Sequence, residues 1–130
     1  QMVFPYMKMN NGGVIINITS LNSEVGGSNN PAYISSKGGL KLLTKALAKD
    51  WAKYNIRINN LGLGYFKTDM TKRSYKDTVL RKIRTERIML NRWGGTEDIV
   101  GPSIFLASPA AQYITGQDIY VDGGVLSNGI

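Results

Sequence analysis

The chain of 130 residues is predicted to adopt an α/β fold with a parallel sheet, because helical stretches and short apolar runs alternate three times along it. The apolar runs are rich in β-branched residues and nearly continuous, which is typical of parallel strands covered on both faces. The first two runs are each followed by a loop and then by a helical pattern. This order indicates right-handed crossovers within one sheet.

The first helix is expected over residues 2–9, and it ends at a turn signal of two asparagines and two glycines at 10–13. The β-branched run at 14–18 is the first predicted strand. Residues 19–30, rich in Ser, Asn and Gly, form the loop after the carboxyl end of that strand. Ligands bind at such ends in open α/β sheets, so this loop is a candidate site.

Pro31 suits the first turn of the second helix, where its missing N–H costs no hydrogen bond. That helix is predicted to continue to about residue 53, because leucines at 40, 43 and 47 and a tryptophan at 51 recur at helical spacing. Residues 56–61 form the second strand, and residues 62–65 form the loop after its carboxyl end.

The last third of the chain begins with a charged, partly helical excursion at 69–92, which two glycines end at 94 and 95. Thr96 is expected to cap a third helix, with acidic residues at 97 and 98 opposite the positive end of the helix dipole. That helix is predicted to end near residue 107, with Ile99, Ile104 and Phe105 in the core. Residues 119–121 form the last strand.

Composition excludes several kinds of chemistry. The chain has no Cys and no His, which removes disulfides, thiol catalysis and the commonest metal ligands, so we expect no metal site. We expect no membrane span and a cytoplasmic protein, because no apolar run approaches bilayer length and no leader pattern is present. The chain starts at Gln1 within the first predicted helix, so we expect a fragment or a processed product.

Tyr33 and Lys37 lie one helical turn apart at the start of the second helix, and Ser20 lies at the end of the first strand. The ordinary pKa of tyrosine is too high for much of the phenolate base to form at pH 7. A Lys ammonium on the same helix face favours the phenolate. These residue types can therefore transfer a proton to a carbonyl without His, Cys or metal. The alternative is a half-buried aromatic ring beside a solvated cation, which is common.

Two further blocks follow this set in order: RIN at 57–59 with GYFKTDM at 64–70, and YITGQDIYVDGG at 113–124. Together with Ser20 and the Tyr-x-x-x-Lys pair, they resemble the carboxyl-terminal half of a short-chain dehydrogenase/reductase. The resemblance implies a partial Rossmann-like doubly wound parallel sheet, made of the last three strands and their flanking helices. Residues 1–130 would then be a single-domain fragment that lacks the amino-terminal half.

The resemblance also implies an activity for the whole protein: NAD(P)-dependent interconversion of an alcohol and a carbonyl compound. Tyr33 would be the acid/base, Lys37 would favour its phenolate and bind the nicotinamide ribose, and Ser20 would orient the substrate oxygen. The cofactor would be NAD or NADP, which these residues do not distinguish. The positions that would contact it are Tyr33, Lys37, Leu63, Gly64, Phe66 and Thr68.

Within that loop, Phe66 would act through its backbone and Thr68 through its hydroxyl group. The family usually has proline where this chain has Leu63, so the turn before Gly64 is expected to be less rigid. The glycine-rich phosphate loop of the family and the residue that selects NAD or NADP would precede residue 1. We therefore expect the isolated 130 residues to bind cofactor poorly and to be nearly inactive.

Residues 67–92 hold nine basic and three acidic side chains, so this segment carries +6 of the net charge of +7. Residues 69–92 correspond to the variable substrate-covering segment of the family. We hypothesise that Arg81, Arg84 and Arg87 accommodate an anionic small-molecule substrate; the alternative is a solvated lid. Nucleic-acid binding is disfavoured because no recognisable motif accompanies the basic residues.

A third interpretation is a structural or oligomerisation fragment, or an inactive truncated homologue. The first strand would have an unpaired edge that a missing neighbour covers. The resemblance implies a homodimer or homotetramer formed through the helix that carries Tyr33 and through the last helix and strand. Leucines at 40, 42, 43 and 47 could supply such a surface.

Overall fold

Residues 2–129 are described by a computed structural model, and they contain five α-helices and three strands close to the predicted bounds. In chain order these are α1 (Phe4–Met9), β1 (Gly13–Ser20), α2 (Pro31–Trp51), β2 (Ile56–Leu63), α3 (Lys72–Lys76), α4 (Thr78–Glu86), α5 (Glu97–Ala107) and β3 (Asp118–Val121). None of the helices in this part of the chain is both long enough and apolar enough to cross a bilayer.

The three strands form one parallel sheet in the order β1-β2-β3, which confirms the predicted α/β fold. β1 pairs with β2 along its whole length, ending with Ser20 opposite Leu63. β3 pairs with the second half of β2, ending with Leu63 opposite Val121. The carboxyl ends of all three strands therefore lie in one row at one edge of the sheet.

The two long crossover helices cover opposite faces of this sheet. Alternate residues of a strand point to opposite sides. Ile56 and Ile58 are buried in one cluster with Ala48 of α2. On the other face, the Arg57 guanidinium donates to the carbonyl oxygen of Leu106 in α5 at 3.0 Å. The layering is that of a doubly wound sheet, as predicted.

A buried chain of hydrogen bonds joins α2 to all three strands. The Asn17 amide donates to the Thr44 hydroxyl at 2.8 Å, and that hydroxyl donates to Asn60 Oδ1 at 2.7 Å. The Asn60 amide nitrogen then donates to Asp118 at 2.7 Å, and the Lys45 ammonium lies 2.8 Å from the other carboxylate oxygen. We call this series of hydrogen bonds the polar network. It fixes α2 against the sheet, because buried polar groups are stable only when they are paired.

Two expectations for α5 are wrong. Thr96 stands before α5 with helical backbone angles and makes no capping hydrogen bond. Asp98 instead accepts from the Gly95 N–H at 2.8 Å, because Arg92 holds its carboxylate with two hydrogen bonds. Ile104 and Phe105, expected in the core, are 63% and 42% exposed. The apolar residues of α5 extend around its circumference, so their spacing does not indicate which side packs on the sheet.

We expect Thr44→Val to lower the free energy of unfolding by about 1–3 kcal/mol, because it removes the partner of the Asn17 amide nitrogen and of the Asn60 amide oxygen in the interior. Ser35→Ala, on the exposed side of α2, is the matched control and should change stability by less than about 0.5 kcal/mol. Urea unfolding of the natural full-length protein measures both changes. A Thr44→Val variant as stable as the wild type would contradict a structural role for the polar network.

Candidate active site

Ser20 is the last residue of β1 and lies at the carboxyl edge of the sheet. Its side chain accepts a hydrogen bond from the Asn22 N–H at 3.2 Å, and its carbonyl oxygen accepts from the Ser23 hydroxyl. These bonds form the tight turn that follows the strand. The hydroxyl proton of Ser20 has no acceptor among residues 2–129, so it is available to a bound oxygen atom.

Lys37 joins the start of α2 to the same end of β1. Its ammonium donates to the carbonyl oxygen of Ile18 at 2.8 Å, two residues before Ser20. It also lies 5.7 Å from the centroid of the half-buried Tyr33 ring. The structure therefore brings Tyr33, Lys37 and the end of β1 to one corner of the fold, although no hydrogen bond joins Tyr33 to Ser20 within the described residues.

The loop after β2 is held against the sheet at Gly64. Its N–H donates to the Val121 carbonyl oxygen at 3.1 Å. A β-carbon at this position would lie 2.7 Å from the Asp122 α-carbon, so only glycine permits this approach. Leu63, which stands where the family usually has proline, is held by neighbours on both sides through its pairing with Ser20 and Val121.

Phe66 and Thr68 differ in whether they leave a hydrogen-bonding group unpaired. The Phe66 ring is buried against Gly94 and its carbonyl oxygen accepts from the Thr71 hydroxyl, but its own N–H has no acceptor among residues 2–129. An unpaired backbone donor in a folded loop is unusual, and a ligand can satisfy it. The Thr68 hydroxyl lies 3.2 Å from the Thr71 hydroxyl, so it is already engaged within its own turn.

A cleft of about 300 Å³ lies between the loop after β1, Tyr65 of the loop after β2 and helix α4. Its polar lining includes Asn22, Asn30, Tyr65, Arg84 and Arg87. Of these, only the two arginines were singled out from the sequence. The signal that could have found the others is position, because Asn22 and Asn30 lie in the loop after β1 and Tyr65 lies in the loop after β2.

A second cluster, which sequence reasoning missed, anchors the loop after β1. The Glu24 carboxylate pairs with Lys41 of α2 and accepts from the Tyr120 hydroxyl of β3 at 2.6 Å. These two hydrogen bonds, that of Lys41 first, lower the pKa of Glu24. Burial and the Glu24 bond raise the pKa of Tyr120 to about 12. Tyr120 therefore stays protonated and is no rival to Tyr33 as a base.

No group of three or more metal-ligating side chains that could hold an ion is present in the part of the chain that the structure describes. Several carboxylates there, such as those of Asp98 and Asp118, are engaged instead with cations and N–H donors. Asp118 is an example: burial raises its pKa, but hydrogen bonds from Lys45 and Asn60 outweigh burial, and the net pKa is lowered.

A family model described as enoyl-(acyl carrier protein) reductase matches residues 1–126. The chain therefore belongs to the short-chain dehydrogenase/reductase family. Among its relatives, the 2-dehydro-3-deoxy-D-gluconate 5-dehydrogenase of Formosa agariphila is 40% identical over 121 residues, which are 88% of this chain and 44% of the relative. The enzyme of the same name from Dickeya dadantii is 42% identical over 122 residues, 94% of this chain and 48% of the relative.

A solved structure supports the same assignment. The gluconate 5-dehydrogenase of Burkholderia cenocepacia, in complex with NADP and tartrate, superimposes with a TM-score of 0.92 at 36% identity. The match covers 95% of this chain and 48% of that one. The chain thus spans about half the length of the relatives that it matches. These findings confirm the resemblance and the fold inferred from the sequence.

We expect acid to weaken the fold through Glu24 and Asp118. Their pKa values are lowered in the folded state, so their contribution is present at pH above the ordinary values of 4.5 and 3.8 and is lost as the pH falls towards the lowered values. Glu24→Gln should be less stable than the wild type at pH 7 and should lose less stability on acidification. Urea unfolding at pH 7 and pH 3 measures both; an equal loss in both proteins would contradict the role of Glu24.

Proposed function

We propose that these residues form the acid/base half of an NAD(P)-dependent oxidoreductase that interconverts a secondary alcohol and a ketone on a sugar acid. The observation that carries the proposal is the hydrogen bond from Lys37 to Ile18, because it holds the first turn of α2, with Tyr33, at the strand end that carries Ser20. The sugar-acid class is supported by the names of the relatives, which act on gluconate or 2-dehydro-3-deoxy-D-gluconate.

The proton chemistry follows from the three side chains. In the reducing direction, the Tyr33 hydroxyl donates its proton to the carbonyl oxygen; in the oxidising direction, the phenolate takes the proton from the alcohol. The Lys37 ammonium favours the phenolate through its positive charge. Ser20 donates its free hydroxyl proton to the same substrate oxygen and so orients it.

The residues present fit a nicotinamide cofactor. The unpaired Phe66 N–H and the two N–H groups of Lys37 that have no partner among residues 2–129 are donors suited to a carboxamide and a ribose. Leu63 and Gly64 would lie beside it, and the Thr68 hydroxyl would contact it by exchanging its bond to Thr71 for one to the cofactor. The cofactor, when bound, supplies or accepts the hydride. No glycine-rich phosphate loop lies within residues 1–130, so this segment alone is expected to bind the cofactor weakly.

A structural role for α2 is proposed alongside catalysis. Leu42 and Leu43 lie on its outer surface and are 66% and 50% exposed. In the full-length protein we propose that this surface packs against a second copy, as the family resemblance implies. Exposed leucines on one helix face are costly unless a partner covers them.

Tyr33→Phe in the natural full-length protein should lower kcat by about a hundredfold or more, because it removes the proton donor and leaves the ring. Binding of NADP, followed by fluorescence, should stay within about twofold of the wild type because the ring still packs. The matched control is Tyr113→Phe, a fully exposed tyrosine, which should not affect turnover. A fall of less than about tenfold for Tyr33→Phe would overturn its assignment as the acid/base.

Leu42→Glu should shift the full-length protein towards the monomer in sedimentation velocity, because it places a charge in a surface proposed to be apolar and buried. Val79→Glu, which puts the same charge on an equally exposed apolar residue of α4, is the control and should leave the oligomer intact. An unchanged assembly in both variants would rule out this surface as an interface.

A further inference from the structure

Of the three arginines that the sequence hypothesis names, Arg84 and Arg87 reach the cleft and Arg81 does not. Arg84 in α4 and Arg87 directly after it both line the cleft, as their spacing of three places them on one helix face. Arg81 lies on the same helix but outside the cleft, with its guanidinium 5.4 Å from the centroid of the Tyr75 ring. Only part of the positive charge of residues 67–92 therefore faces this cleft.

Arg84 is held in place before any ligand arrives. Its guanidinium donates to the Ser74 hydroxyl at 2.6 Å and lies 5.3 Å from the centroid of the Tyr65 ring. Tyr65 itself lines the cleft and belongs to the loop after β2. A guanidinium ordered in this way presents its remaining N–H donors at little further entropic cost.

The positive charge in the cleft has no acidic partner. Among residues 2–129, no carboxylate lies within ion-pair distance of Arg84 or Arg87. Glu86, the acidic residue between them in sequence, lies 4.0 Å from Lys82 instead. Two guanidinium groups that face one cleft without a counter-charge are suited to a carboxylate, which accepts paired hydrogen bonds from arginine.

Ser20, Tyr33 and Lys37 do not line the cleft, but residues next to them in the chain do. Asn22, whose N–H donates to the Ser20 hydroxyl, lines it on the side of β1, and Asn30 lines it directly before the helix that carries Tyr33. The two asparagines, which adjoin the proton-transfer residues in the chain, and the two arginines therefore lie on different elements that line the cleft. The two asparagines provide amide groups for the hydroxyls of a polyol chain.

We propose that Arg84 and Arg87 bind the carboxylate of the substrate and thereby select sugar acids over neutral sugars and polyols. The inference rests on the proposed function and adds the specificity-determining residues to it. Arg84 gives a contact that Ser74 and Tyr65 hold in place, and Arg87 adds a second guanidinium on the same side of the cleft. Arg81 does not bind the carboxylate, so the hypothesis drawn from the sequence is reduced from three arginines to two.

The test compares an acid with its neutral counterpart in the natural full-length protein. Binding of D-gluconate and of D-sorbitol is measured by calorimetry with NADP present, and turnover of both is measured by absorbance. Arg84→Gln and Arg87→Gln should each weaken D-gluconate binding, and the double variant should weaken it about tenfold or more. Arg81→Gln is the matched control, because it removes a tyrosine-stacked arginine from the same helix, and it should leave binding within twofold.

D-sorbitol binding should be the same in all variants, because it carries no charge. Ser74→Ala, which releases Arg84 without removing its charge, should give a smaller loss for the acid only, and it keeps the inference testable if Arg84→Gln fails to fold. If the double variant binds D-gluconate within twofold of the wild type, or loses both ligands equally, the arginine assignment is wrong while the oxidoreductase proposal stands. If the wild type neither binds nor oxidises either compound, both proposals fail.

Discussion

The structure depends on the polar network that joins α2 to the sheet. Thr44 and Asn60 have no exposed surface, and their hydrogen bonds to each other, to Asn17 and to Asp118 connect β1, β2 and β3 to one helix. Apolar packing alone would let α2 slide by a turn at modest cost, whereas paired amides and hydroxyls in the interior accept one register. That register decides where the first turn of α2 lies, and the first turn carries the candidate site.

Further hydrogen bonds and ion pairs then hold the loops of the candidate site to the helix and strands that the polar network has positioned. Lys37 holds the start of α2 to the end of β1, and the Glu24 cluster holds the loop after β1 to both α2 and β3. Gly64 brings the loop after β2 close enough to β3 for Tyr65 to contact the guanidinium of Arg84. The cleft thus lies between elements that are each held to the sheet by hydrogen bonds.

The sequence predicts the strands, the helices and their order well, because apolar periodicity and turn residues report local structure directly. The fold and the family are confirmed, whereas the roles of Ser20, Tyr33 and Lys37 stay predictions. The sequence could not separate Arg84 from Arg81, since charge and spacing look alike until the helix is placed against a cleft. The sequence also did not predict the outward position of Ile104 or the role of Glu24, because both depend on contacts between residues far apart in the chain.

The central claim is that one substrate spans the cleft from the Tyr33 corner to the Arg84 side. A crystal structure of the natural full-length protein with NADP and D-gluconate tests this most directly. The account predicts a substrate hydroxyl within hydrogen-bond distance of both Tyr33 and Ser20, with the carboxylate against the Arg84 guanidinium. A carboxylate that points away from α4, or a substrate that contacts neither hydroxyl group, would contradict it.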